Sequence, residues 1–316
     1  MPDLKFLAST RKSITPRVMA VPPLITRKVM EAAARLRYLR VMLNNARPVG
    51  DLLREWRHRR RMSQLDLACE AEISTRHLSF LETGRSVPSR EMVLHLADQL
   101  GVPLRERNLL LNAAGYAPLF PERPLADPAL ETARTAVDLV IKGHEPYPAL
   151  AVDRHWTLVA RNEAVPFLIH GVEAELLREP ANVLRLSLHP GGLAPRIANL
   201  AEWRTHLLER LRRQIDATAD PVLVELMREL QSYPAPRQPK STRPSAERDY
   251  AGVIVPFELA TDAGILALFG TTTIFGTPVD ITLSELALEC FYPADAATAQ
   301  ALHAAAATRA KQAQPG

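Results

Sequence analysis

Thr75, Arg76 and Ser79 lie in the run Ser74-Thr75-Arg76-His77-Leu78-Ser79-Phe80-Leu81-Glu82, and a helical turn brings the three polar side chains to one face. A guanidinium is a flat fork of N–H donors, and a hydroxyl is one donor with two acceptor lone pairs. Such a set on one exposed turn can hydrogen-bond the edges of bases. The fork of Arg76 matches O6 and N7 of guanine, and Ser79, one turn on, can reach a second base or a thymine methyl. Phe80 has two readings left open, contact with a thymine methyl or packing inside its own domain. His77 points sideways, towards phosphate or solvent. Arg57, Arg59, Arg60 and Arg61 form a dense basic run just upstream, and Arg85 follows just downstream. Phosphate oxygens suit some of these, Arg60, Arg61 and Arg85 among them, because backbone contacts position a protein without reading sequence.

The elements that must hold these residues are short helices. Ser63 and Ser74 each stand where a hydroxyl can cap the first turn of a helix, and Asp66 lies three residues after Ser63, as in a capping box. Leu67, Ala68, Ala71, Ile73, Leu78 and Leu81 can share one buried side, which leaves Thr75, Arg76 and Ser79 outside. Two capped helices joined by a tight turn are a helix-turn-helix, whose second helix enters the major groove. A basic amphipathic helix over 51–62 precedes the pair. Gly84 supplies a helix stop in 83–89, and Ser89 caps a fourth helix that ends at Gly101-Val102-Pro103. A fifth helix is expected from Leu104 to about Ala114.

Ser63-Gln64-x-x-Leu67-Ala68, Ile73-Ser74, Leu81-Glu82-x-Gly84-Arg85 and Leu100-Gly101-Val102 together resemble the lambda-repressor-like DNA-binding domain of the XRE family. The resemblance implies that Gln64 lies against the phosphate backbone. It also implies that the first turn of the second helix, Thr75 and Arg76, makes most base contacts.

Charge divides the chain in the same way. Residues 1–46 hold nine Lys and Arg against two acids, residues 47–116 hold eleven against nine, and residues 117–316 hold nineteen against twenty-four. The basic half is therefore the half expected to meet double-stranded DNA. An aromatic share of 5% disfavours a single-strand binder built on base stacking. Cys69 and Cys290 fall in separate apolar patterns and are expected to be two buried, reduced thiols, in keeping with a cytoplasmic location. No apolar stretch is long enough to cross a membrane. Residues 1–46 are a basic extension with two readings: an accessory arm built on a helix over 26–44, or a disordered or untranslated leader with Met42 as the start.

The remaining boundaries are a DNA-binding domain over 47–117, a Pro-rich linker over 118–125, a second domain over 126–308 and a tail over 309–316. Three prolines in 117–124 suggest a semi-rigid spacer. The second domain opens with a helix over 128–142, then a hairpin over 148–162. Helices are expected over 163–169, 181–188, 194–216 and 221–232, a loop over 234–244, and strands over 252–260, 265–274 and 283–291. A five-stranded sheet with helices on one face is the layout of a PAS domain. The fold expected is α+β overall: an all-α, lambda-repressor-like five-helix DNA-binding domain, then a PAS-like α+β domain with a five-stranded antiparallel sheet.

Three groups of residues carry a wider resemblance: Tyr147-Pro148-Ala149-Leu150-Ala151-Val152-Asp153 with Trp156 and Asn162; His189-Pro190-Gly191-Gly192 and Asn199-Leu200-Ala201-Glu202-Trp203; and Phe275-Gly276-Thr277-Pro278-Val279-Asp280. With the helix-turn-helix, they make the chain from about Arg47 to His303 similar to the bacterial MmyB-like transcription regulators. That resemblance implies a PAS-like ligand-binding domain whose ligand class is fatty acids.

Strands apolar on both faces beneath amphipathic helices suggest an apolar cavity, with Trp156, Trp203, Phe257 and Phe269 as candidate walls. A carboxylate ligand would need a cation or N–H donors at the mouth, for which Arg185, His189 and Arg196 are candidates. The chain carries no Gly-x-Ser-x-Gly elbow, phosphate loop, His-x-x-x-His or Cys-x-x-Cys, so no catalytic residue, metal site or cofactor is expected beyond a bound fatty acid. The function expected is a non-enzymatic regulator that binds a double-stranded operator as a homodimer, away from membranes, and senses a small apolar ligand. The alternative is a DNA-binding regulator whose second domain serves only dimerisation or protein-partner binding.

Overall fold

The three serine caps form as their spacing suggests. In the computed structural model, which describes residues 47–234, 255–262, 264–276, 278 and 280–312, Ser63 Oγ accepts from Asp66 N at 3.1 Å while Asp66 Oδ2 accepts from Ser63 N at 2.8 Å. Ser74 and Ser89 accept from His77 N and Met92 N. Losing any one cap would cost about 1 kcal/mol. The helices so bounded are α1 (Val49–Arg59), α2 (Gln64–Glu70), α3 (Thr75–Glu82), α4 (Arg90–Gln99) and α5 (Leu104–Ala113). Leu53, Leu67, Leu78, Leu81, Leu96 and Leu111 are fully buried where they meet. Gly84 takes the left-handed conformation after α3, at φ 71°. Cys69 departs from expectation. It lies on the outer side of α2 and is exposed, whereas Cys290 is buried and its thiol is pushed up by burial.

The prolines of the linker do not make a spacer here. Asn108 of α5 binds the linker backbone, accepting from Leu119 N and Phe120 N and donating to Phe120 O. Pro121 O accepts from Ile281 N, and Arg123 O from Thr282 Oγ1. Arg105, in the first turn of α5, forks onto Glu122 of the linker and Glu285 of the second domain, with four N–O distances of 2.7–2.8 Å. Burial works against the Arg105 charge, but these two carboxylates outweigh it and raise its pKa above the ordinary arginine value.

In the second domain a 3-10 turn (Pro128–Leu130) leads into α6 (Glu131–Gly143). The hairpin β1 (Ala149–Val152) and β2 (Leu158–Arg161) follows, then α7 (Val165–Leu168), α8 (Val183–Leu188), α9 (Leu200–Thr218) and α10 (Pro221–Ser232). The sheet is completed by β3 (Phe257–Thr261), β4 (Gly264–Ile274) and β5 (Ala287–Pro293), in the order β2-β1-β5-β4-β3, antiparallel throughout. The fold is the α+β arrangement expected. Four details differ. The helix expected over 194–216 is broken: a 3-10 turn ends at Arg196, Ile197 bridges to Leu259, and Asn199 Oδ1 accepts from Glu258 N before α9 starts. The strand expected from 283 starts later, because Asp280 caps a short helix, α11 (Ile281–Ser284). Helices cover both faces of the sheet. Val137 and Ile141 of α6 pack on Ala149, Ala151, Leu288 and Cys290, and α7 to α10 lie over the other face. A last helix, α12 (Ala296–Gln312), lies against β4 and β5 and runs through the tail expected from 309. The expected helix over 26–44, the loop from 235 and the start of the third strand at 252–254 lie outside the described residues.

Candidate nucleic-acid interface and ligand cavity

The capped N-terminus of α3 sets Thr75 and Arg76 in its first turn, both exposed, with Ser79 half-buried on the same side. Leu78 and Leu81 hold the opposite side of α3 in the core. Phe80 is half-buried and lies between two cations: the guanidinium carbons of Arg76 and Arg85 are 5.3 and 5.9 Å from its ring centre. Each contact contributes about 0.5–1 kcal/mol at an exposed site, enough to limit the wandering of Arg76.

Beneath this surface Glu82 is buried and forks onto Arg57 at 2.7 and 2.9 Å, and it accepts from Gln64 Nε2 at 2.8 Å. Burial pushes the Glu82 carboxyl up. The hydrogen bonds from Arg57 and Gln64, with the charges of Arg57 and Arg54, outweigh it and hold the carboxyl below its ordinary value. Gln64 is thus anchored at the start of α2 with its amide oriented by the core.

The basic run is divided by what its members touch. Arg57 is buried in the Glu82 pair and is no phosphate ligand in this arrangement. Arg59 pairs with Glu55 on its own helix. Arg60, an expected phosphate ligand, is turned inward instead: it lies over Trp56 and donates to Leu100 O at 2.7 Å and Gly101 O at 2.9 Å, closing the end of α4. Arg61, at φ 57°, and Arg85 are exposed.

The second domain holds an apolar cavity of about 190 Å³ between the sheet and α7 to α9. Trp156, Leu158, Leu168, Leu184, Trp203, Leu207, Phe257 and Phe291 are among its walls. Both indole N–H groups are taken, Trp203 Nε1 by Ser187 Oγ and Trp156 Nε1 by Gln214 Oε1, so the rings present apolar faces. Trp156 sits in the left-handed region at φ 64°, in a turn pinned by Asp153 Oδ1, which accepts from His155 N and Thr157 N. Gly192 allows the close return of the loop after α8; a Cβ there would meet Leu186 O at 2.3 Å.

Three of the expected ligand residues, Trp156, Trp203 and Phe257, line the cavity. The other three do not. Arg185 lies on the outer side of α8, bound bidentately by Glu229 at 2.7 Å. His189 closes its own turn, Nδ1 accepting from Gly191 N, with its ring edge-on to Tyr233. Phe269 is on the opposite face of β4, stacked on Tyr292. Arg196 donates to Leu168 O and His170 O and is structural as well.

The polar residues that do reach the cavity were not foreseen. Arg210 of α9 donates to both carboxylate oxygens of Glu289 at 2.8 and 3.1 Å and to Thr272 Oγ1 at 2.9 Å, with Trp156 4.8 Å beneath its guanidinium. His206 lines the cavity one turn earlier, stacked on Trp203; burial and the charges of Arg210 and Arg213 lower its pKa. The one available signal was Glu289 itself, a charge inside the otherwise apolar strand Leu288-Glu289-Cys290-Phe291.

A family model described as the MmyB-like transcription regulator ligand binding domain matches residues 133–305, more than half of the chain. The chain belongs to the MmyB-like transcription regulators. A helix-turn-helix domain model matches residues 48–110, the region of α1 to α5. This MmyB-like chain is 35% identical over 116 residues to a protein of Methanoculleus marisnigri named as an HTH-type transcriptional regulatory protein; the match covers 35% of this chain and 37% of that protein. Among solved structures, an RNA-binding light-oxygen-voltage receptor aligns over 92% of this chain and 68% of its own, at 10% identity and a TM-score of 0.22, too low to carry an argument. The chain thus joins a helix-turn-helix domain to an MmyB-like ligand-binding domain. Among the described residues, no helix is long and apolar enough to cross a membrane.

Proposed function

We propose that this MmyB-like regulator binds a fatty acid in its second domain and adjusts operator binding in response, without catalysis. The observation that carries the reading is the cavity walled by Trp156, Trp203, Phe257 and Phe291, with one cationic side chain, Arg210, at its polar side. It is larger than the cavity of about 150 Å³ that suffices for benzene, it is apolar, and a single polar end suits an acyl chain with one head group. Arg76, with Thr75 and Ser79, reads bases; Gln64, Arg61 and Arg85 hold phosphates. A homodimer on two half-sites supplies the affinity that one short recognition helix lacks. The Arg105 bridge between α5 and Glu285 supports coupling of the two domains, because Glu285 also lies 3.7 Å from Arg154, two residues before the cavity-lining Trp156. A ligand regulates only if it binds the DNA-competent and incompetent arrangements unequally. Native mass spectrometry of the purified full chain, followed by organic extraction, tests the reading. One acyl chain per protein subunit is expected. A protein that purifies empty and takes up no fatty acid from C8 to C18 leaves the second domain without this role.

A further inference from the structure

The pair of Arg210 and Glu289 is unusual in its setting. An ion pair facing an apolar cavity costs desolvation that its own attraction need not recover, so it is weak support for stability. Its geometry, however, is that of a receptor for a carboxylate. The guanidinium is fixed from below by the Trp156 ring at 4.8 Å and from the side by Thr272 Oγ1 at 2.9 Å, and its donors face both oxygens of Glu289. Glu289 is 7% exposed at the side chain and lies on the cavity wall together with Arg210.

A second space lies on the other side of the pair. Arg210, Glu289 and Trp156 also border this space, of about 330 Å³ on the side of α9, which is lined further by Arg154, Arg213 and Glu285. Arg213 is exposed, and no ion pair to it is found among the described residues. A Glu289 carboxylate leaving Arg210 would therefore enter a polar space beside a second guanidinium. We infer that Arg210 is the head-group receptor of the cavity, and that Glu289 is an internal carboxylate holding that position until the carboxylate of an acyl ligand displaces it towards Arg213. The inference rests on the acyl-ligand reading above and adds the residue that decides between acids and neutral lipids.

The exchange is balanced in charge at Arg210. One carboxylate replaces another on the same guanidinium; the extra negative charge is met by Arg213 in the space that Glu289 enters, Glu289 gives up its bonds from Thr272 Oγ1, and the favourable term is burial of the chain in the apolar walls. An alcohol of equal length gains the same burial but leaves Arg210 with Glu289. A ligand that must displace an internal competitor binds with its dissociation constant divided by the fraction of protein in which the site is free. Removing the competitor must therefore tighten the binding of acids alone.

The experiment measures binding of decanoate and 1-decanol, by calorimetry, to the full chain freed of copurified lipid. The wild-type protein is compared with Glu289→Gln, Arg210→Met and Arg210→Lys, each checked for cooperative thermal unfolding. Glu289→Gln is expected to bind decanoate at least tenfold more tightly, with decanol unchanged. Arg210→Met is expected to bind the two equally, and Arg210→Lys to keep a reduced preference for the acid. Weaker or unchanged decanoate binding in Glu289→Gln overturns the displacement. An undiminished acid preference in Arg210→Met puts the receptor elsewhere while leaving the acyl reading intact. Absence of binding of either compound to the wild-type protein overturns both.

Discussion

Gly270 faces the cavity from β4, between Leu268 and Thr272 on the same side of the strand, and replacing it tests whether that space is the ligand site. Its backbone is not in the left-handed region, and an added Cβ would meet only Phe291, at 3.5 and 3.7 Å, which is ordinary contact. Gly270→Phe is therefore sterically admissible at the strand and sends its ring into the cavity. A ring fits a space of about 150 Å³, so it fills most of the 190 Å³ present. Burying the ring contributes about 1.5–3 kcal/mol, and removing a strand glycine another 0.5–1 kcal/mol, against the cost of fixing one side chain. The unliganded variant is expected to be as stable as the wild-type protein or more so. The wild-type protein gains about 2.7 kcal/mol from a ligand at a hundredfold excess over its dissociation constant, which is roughly 5–10 °C for a domain of 150–250 residues. Thermal unfolding with and without decanoate is expected to show that shift in the wild-type protein and none in Gly270→Phe. An equal shift in a normally folded variant would refute the assignment of this space. Ala267, also on β4, faces the other side and is no substitute for this probe.

Other outcomes follow from the same geometry. Arg76→Ala is expected to lose about 1–3 kcal/mol on a selected operator and little on random duplex in fluorescence anisotropy titrations; equal losses would make Arg76 a phosphate contact. Arg60→Ala is expected to destabilise the α1 to α5 domain by about 1–3 kcal/mol in urea, through the lost bonds to Leu100 O and Gly101 O. It should leave the salt dependence of DNA binding unchanged, and a slope reduced by about one unit would restore Arg60 as a phosphate ligand. Burial works to raise the Asp220 carboxyl, but the hydrogen bond from His155 and the charge of Arg154 outweigh it and hold it well below its ordinary value. A depressed carboxyl stabilises the fold above its unfolded pKa of about 4, and that contribution is lost as the pH falls further. Asp220→Asn, which keeps an oxygen for the cap on Val222 N, should therefore lower stability at pH 7 and lower it less at pH 3. An equal loss at both would show that the charge is not what matters.

What could be read from the sequence was local. Ser63, Ser74 and Ser89 announced three helix starts because a cap needs only residues within one turn. The apolar runs of β1 and β4 announced strands because burial has a period. Long-range partners leave no such mark. Arg60 finds its carbonyls forty residues away, at Leu100 and Gly101, and nothing in Arg59-Arg60-Arg61 distinguishes the inward arginine from the outward one. Arg210 is one of several arginines on α9, and only the folded sheet brings Glu289 and Thr272 to it. Arg185 and His189 were reasonable candidates by type and by place in sequence, but α8 turns Arg185 to Glu229 on its outer side, and the loop after α8 uses His189 to close itself. Trp156, Trp203 and Phe257 were legible as walls because large apolar groups have few other places to go.

The most direct test of a ligand-responsive regulator is the affinity of the full chain for an operator selected from random duplex, measured at fixed salt with and without saturating decanoate. A coupling of 1–3 kcal/mol between the sites would change the dissociation constant about 5- to 150-fold, and Gly270→Phe should abolish the change. Identical dissociation constants with and without decanoate, for a protein shown in the same samples to have bound it, would contradict the account.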